Sequence, residues 1–124
     1  MTGRKPLNVL VVDDSAVVRQ LLSAILSQQG MTVTVAADPL FAIRKMEQSR
    51  PDVVILDIEM PRMDGLTFLR KIMREAPLPV VICSSHASRG TETAMKALEE
   101  GAVDILPKPR VGLKEYLEES ATFL

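Results

Sequence analysis

The stretch Leu7-Asn8-Val9-Leu10-Val11-Val12-Asp13-Asp14 sets the reading of the fold. Leu7 to Val12 is an almost unbroken apolar run, and a strand that is apolar on both faces belongs inside a parallel sheet. Runs of the same kind return at Val53 to Leu56 and Val80 to Cys83, with a short β-branched strand at Thr32 to Ala36 and a weak one at Val103 to Leu106. Helical spacing fills the intervals. Val17, Val18, Leu21, Leu22, Ile25 and Leu26 form one amphipathic series, and Gly30 follows as its C-terminal stop. Asp38-Pro39 supplies an N-cap and a first-turn proline for a helix through Phe41, Ile43 and Met46, which Arg50-Pro51-Asp52 ends. Leu66, Leu69, Ile72 and Met73 predict another before Pro77 and Pro79, and Ala94, Met95, Ala97 and Leu98 a fourth before Gly101. Leu113, Tyr116 and Leu117 begin a last one. This alternation predicts an α/β fold: a doubly wound, five-stranded parallel sheet with right-handed crossovers.

The length of 124 residues is one domain's worth, so residues 1–124 are read as a single domain. Fifteen basic residues against 16 acidic ones leave a net charge of −1, without the cationic excess that recruits nucleic acid or an acidic membrane surface. The lone Cys83 excludes an internal disulfide framework and is read as buried packing. Met1 to Leu7 lacks the pattern of a signal peptide, and no apolar run approaches the roughly 18 residues of a membrane span. A cytoplasmic protein without membrane insertion is expected.

In doubly wound sheets ligands bind beyond the carboxyl ends of the strands. Here those ends carry Asp13-Asp14, Asp57, Ser84-Ser85 and Lys108. Singly each has a bland role: Asp14 or Ser15 caps a helix, Asp57 opens a turn, Lys108 is solvated. Jointly they do not, because two carboxylates 4 Å apart repel by about 4 kcal/mol at an effective dielectric near 20. A cation is needed to offset that, and an all-oxygen donor set suits Mg²⁺. A metal, an ammonium and a hydroxyl together are suited to holding a phosphoryl group, with a carboxylate as nucleophile. Asp57 is preferred as that nucleophile because it leaves the central strand and precedes a turn, Ile58-Glu59-Met60-Pro61, instead of a capping pair. The residues alone do not force that choice.

The combination of Val11-Val12-Asp13-Asp14, the segment Leu56-Asp57-Ile58-Glu59-Met60-Pro61-Arg62-Met63-Asp64-Gly65 and Lys108-Pro109 resembles the receiver domain of two-component response regulators, over Leu7 to about Leu117. The resemblance implies a flavodoxin-like (βα)5 receiver fold with strand order 2-1-3-4-5. It implies that Asp57 accepts a phosphoryl group from a sensor histidine kinase. Asp13, Asp14, Asp57 and the backbone carbonyl of Glu59 would hold Mg²⁺, Ser84 would be the switch hydroxyl, and Lys108 would contact the phosphoryl group. The Lys108-Pro109 bond is often cis in that family. A narrower similarity, in Asp57 to Met73, Ser84 to Thr91 and Ala97 to Asp104, is to the receivers of chemotaxis regulators whose second domain is a protein-glutamate methylesterase. It implies regulation of a C-terminal esterase domain in chemotaxis adaptation, with chemoreceptors as indirect partners. A stand-alone receiver acting as a phosphorylation-dependent binding module is the alternative. One departure is Ile105, where the family usually carries an aromatic residue.

Esterase chemistry needs a Ser-His-Asp set. The chain has one histidine, His86, and no Gly-x-Ser-x-Gly elbow, so no esterase activity is expected of it. A phosphatase of the haloacid dehalogenase type wants a second Asp where Glu59 stands, and no glycine-rich nucleotide-binding fingerprint is present. The apolar spacing continues through Leu113, Tyr116, Leu117 and Leu124 without a stop, as in a receiver excised from a longer two-domain chain. Glu59 and His86 are expected to set the lifetime of the acyl phosphate. Met60 and Met63 read equally as core or as partner surface.

Overall fold

The computed structural model describes residues 5–59, 64–84 and 91–108. Along them run β1 (Asn8–Val12), α1 (Ala16–Gln28), β2 (Thr32–Ala36), α2 (Pro39–Gln48), β3 (Val53–Leu56), α3 (Gly65–Glu75), β4 (Val80–Ser84), α4 (Glu92–Glu99) and β5 (Asp104–Pro107). The expected helix after Lys108 lies outside the described residues. All four strand pairings are parallel, and the order is β2-β1-β3-β4-β5. The order reverses direction at β1, whose neighbours are β2 on one side and β3 on the other, so a crevice opens beyond the ends of β1 and β3.

The apolar runs end up where their composition demands. Val9, Leu10, Val11 and Val12 are buried in the middle of the sheet, while edge strand β2 alternates between exposed and half-buried residues. α3 lays Phe68, Leu69 and Ile72 onto the sheet, where they join Leu10, Val54, Leu56, Val80 and Ile82 in one core. α1 packs on β1 and edge strand β2, and of the six apolar residues that recur along it only Leu21 is fully buried. α4 likewise buries its alanines, Ala94 and Ala97, and leaves Met95 and Leu98 about half exposed. Among the described residues, no helix is long and apolar enough to cross a membrane.

Helix starts follow the capping chemistry. Asp38 accepts the Phe41 amide at 3.0 Å with Pro39 at the first turn, and Gly30 takes the left-handed backbone (φ 86°) that ends α1. Of the two cap candidates for α1 it is Ser15 that accepts the Val18 amide, so Asp14 is not spent on the helix. Asp64 caps α3, and Gly65 follows with its amide donating to the Ile58 carbonyl at 2.7 Å. A β-carbon there would lie 2.3 Å from the Ile58 Cα and 2.7 Å from the Asp57 carbonyl oxygen, so only glycine lets α3 brace the segment after β3.

Gly65→Ala is therefore expected to destabilise the fold by about 1–3 kcal/mol through overpacking against backbone. Urea unfolding checks it; an unchanged midpoint would show that the segment after β3 gives way freely.

Candidate functional site

Parallel hydrogen bonding continues one residue past β1 and β3. The Asp13 amide donates to the Ala36 carbonyl at 3.1 Å and the Asp57 amide to the Val12 carbonyl at 2.9 Å. Two carboxylates are thereby held side by side at the end of the sheet, each only 2% exposed. Their oxygens divide the work in the same way. Asp13 Oδ1 accepts the Ser15 amide at 2.8 Å, and Asp57 Oδ1 accepts the Glu59 amide at 3.1 Å. The second oxygen of each faces Lys108, whose Nζ lies 3.2 Å from Asp13 Oδ2 and 3.1 Å from Asp57 Oδ2. Asp14 stays exposed and completes a trio in which one carboxylate oxygen from each of Asp13, Asp14 and Asp57 lies within 4.8 Å of the others.

Burial pushes the Asp57 carboxyl above its ordinary pKa, a push that the Glu59 amide and the Lys108 ammonium only partly cancel. Burial also opposes the charge on Lys108, but the hydrogen bond it donates to Asp57 and the fields of Asp13 and Asp57 outweigh it and raise that group. Each charge is thus costly to bury and retained through the other. Among the described residues, the one ammonium in this cluster does not balance three carboxylates. The remaining negative charge, with an all-oxygen donor set open to solvent at Asp14, fits a hard divalent cation.

The structure brings Asp13, Asp14, Asp57 and Lys108 together as the sequence reading expects. Ser84 is also at this rim and 2% exposed, but its hydroxyl donates to the Glu59 carboxylate, Oγ to Oε1 at 2.9 Å. Sequence reasoning missed that pair, and it missed Arg19. One turn into α1, the Arg19 Nη1 donates to the Asp13 carbonyl at 2.7 Å, fixing the backbone that presents Asp13 and Asp14. The helical spacing from the Ser15 cap was the available signal, since it turns position 19 back towards the end of β1. Ile105 is 3% exposed and belongs to the core, which leaves it no open position to swing from. Ser85, His86, Met60, Met63 and the Lys108-Pro109 bond lie outside the described residues.

Cys83 is buried with its Sγ 3.9 Å from the Pro107 carbonyl, and burial pushes its thiol up to about 11. A raised pKa in the folded state means stability that is whole below the thiol's ordinary value of 9.0 and lost as pH climbs through about 11. At pH 8 the native chain should react with iodoacetamide about a hundredfold more slowly than the urea-unfolded chain, since two pKa units remove that fraction of thiolate. Equal rates by mass spectrometry would contradict the buried placement.

The response regulator receiver domain model matches residues 9–118. The chain is 59% identical over 113 residues to a protein-glutamate methylesterase/protein-glutamine glutaminase 1 of Anaeromyxobacter dehalogenans, covering 91% of this chain and 32% of that protein. It therefore spans about a third of the length of such curated relatives. Among solved structures, the response regulator domain of Thermotoga maritima CheB superposes with a TM-score of 0.80 at 38% identity, covering 95% of this chain and 96% of that one. Vibrio cholerae chemotaxis protein CheY4 follows at a TM-score of 0.78 and 30% identity, covering 97% of this chain and 100% of that one. With a parallel sheet in receiver order and an acidic rim closed by one lysine, the chain belongs to the response regulator receiver domain family.

Proposed function

We propose that the chain is the phosphoacceptor domain of a chemotaxis regulator and that phosphorylation of Asp57 governs a C-terminal protein-glutamate methylesterase domain. The observation that carries this is the Lys108 Nζ set between Asp13 Oδ2 and Asp57 Oδ2 on a rim with a third carboxylate. In this reading the phosphodonor is a phosphohistidine on a histidine kinase. An Asp57 carboxylate oxygen attacks phosphorus, the phosphorus–nitrogen bond breaks, and the imidazole nitrogen leaves with the electron pair and takes a proton. Lys108 neutralises a phosphoryl oxygen, and Gly65 and the Val12 carbonyl keep the Asp57 backbone in place. Asp13, Asp14, Asp57 and the Glu59 carbonyl would hold Mg²⁺, which supplies charge neutralisation for the transferring group.

The esterase link rests on similarity. The 59% identity to the Anaeromyxobacter methylesterase, against 30% to CheY4, which is no longer than this chain, favours it over a stand-alone binding module. A surface suited to a second domain supports it: Met95 and Leu98 of α4, Leu106 of β5 and Val103 just before β5 are each about half exposed or more. Residues 1–124 are then one receiver of a longer cytoplasmic protein, acting on chemoreceptors indirectly, and this part alone hydrolyses no ester. In this reading Glu59 and His86 set the acyl-phosphate lifetime.

Incubation with a phosphorylated chemotaxis kinase should add one phosphoryl group by intact mass, lost with EDTA and in Asp57→Asn. Label that persists in Asp57→Asn would remove Asp57 from its role. Mg²⁺ at a hundred times its dissociation constant should stabilise the native chain by about 2.7 kcal/mol in urea, and Asp14→Asn should abolish most of that gain. An equal gain in both chains would place the metal elsewhere.

A further inference from the structure

We infer that the Glu59 carboxylate is a resting-state latch on Ser84, and that its release sets how readily the domain switches; this rests on the phosphoacceptor role proposed for Asp57. Glu59 is tied to Asp57 and Ser84 by two different parts of itself. Its amide donates to Asp57 Oδ1 at 3.1 Å, and its side-chain Oε1 accepts the Ser84 hydroxyl at 2.9 Å. Ser84 is 2% exposed and ends β4, so its hydroxyl proton cannot turn to bulk water and must exchange one acceptor for another. A hydroxyl donating to a carboxylate is held more firmly than one donating to a neutral acceptor. To engage a phosphoryl oxygen on Asp57, Ser84 must give up that bond.

The same connection supplies the trigger. Phosphorylation replaces the single negative charge of the Asp57 carboxylate with an acyl phosphate of about −1.5 to −2, whose oxygens extend beyond the group that Glu59 already abuts through its amide. Like charge then acts against the Glu59 carboxylate, which is exposed and has solvent to move into. Glu59 departs, and the freed Ser84 hydroxyl donates to the new anion. Resting and switched states thus compete for one proton donor, and the strength of the Ser84–Glu59 bond is the threshold between them.

The test uses the whole chain and reads Ser84 and its β4 neighbours by ¹H–¹⁵N NMR. Wild type is recorded alone and with Mg²⁺ and beryllium fluoride, which defines the two end points. Glu59→Gln and Glu59→Ala, without metal or fluoride, should move the Ser84 resonances part-way towards the activated end point. At saturating Mg²⁺, Glu59→Ala should need about tenfold less beryllium fluoride for half-conversion, the gain expected from losing one charge-assisted bond. In a Ser84→Ala background the Glu59 substitution should have no such effect, which separates the latch from a general change in the rim's charge. Resting spectra of both variants that coincide with wild type, or an equal tenfold gain in the Ser84→Ala background, overturn the latch while the phosphoacceptor reading stands. A wild type that does not respond to Mg²⁺ and beryllium fluoride overturns that reading and the latch with it.

Discussion

One ammonium between two buried carboxylates organises this rim. Lys108 Nζ sits 3.1–3.2 Å from an oxygen of Asp57 and an oxygen of Asp13, side chains that would repel each other strongly if left alone at the end of the sheet. The backbone amides of Ser15 and Glu59 take the other two oxygens. Removing Lys108 would leave buried charge without a counterion, the situation that most destabilises a buried ionic cluster.

The scaffold's local choices serve that arrangement. Ser15 takes the capping task that Asp14 would otherwise perform, which leaves an exposed carboxylate facing the rim. Arg19 uses a charged donor to hold the Asp13 carbonyl, and Gly65 permits helix α3 to brace the backbone between Asp57 and Ile58. Of the three, only Ser15 reaches a carboxylate oxygen, through its amide to Asp13 Oδ1, while Arg19 and Gly65 act by fixing the backbone on which the carboxylates depend. A site of this kind tolerates little displacement, because the attraction within it depends on short distances in a medium of low polarisability.

The opposite edge of the sheet has a different character. Ile105 is packed into the core where a receiver usually carries an aromatic side chain, while its neighbours Val103 and Leu106 face outward with Met95 and Leu98. Ser84, at the end of β4 and bonded to Glu59, links that edge to the acidic rim.

Much of this was legible in the chain itself, and the reasons are local. Apolar runs such as Leu7 to Val12 mark strands covered on both faces, Asp38-Pro39 and Gly30 mark helix ends, and the motif around Asp57 marks the family. Asp13, Asp14, Asp57, Ser84 and Lys108 could be named because strand ends in a parallel sheet share one rim. What the sequence determined by itself was therefore which side chains reach that rim. Which of them bond to which was decided only by the tertiary structure. Lys108 and Asp57 are separated by 51 positions and Ser84 and Glu59 by 25, and such pairs meet only once strand order and register are set. The same holds for Gly65, whose necessity comes from the Ile58 backbone 2.3 Å from a missing β-carbon, and for the half-exposed flank of α4. Periodicity records which face of an element is apolar; it carries no record of the distance between two elements, and the chemistry of this rim depends on that distance.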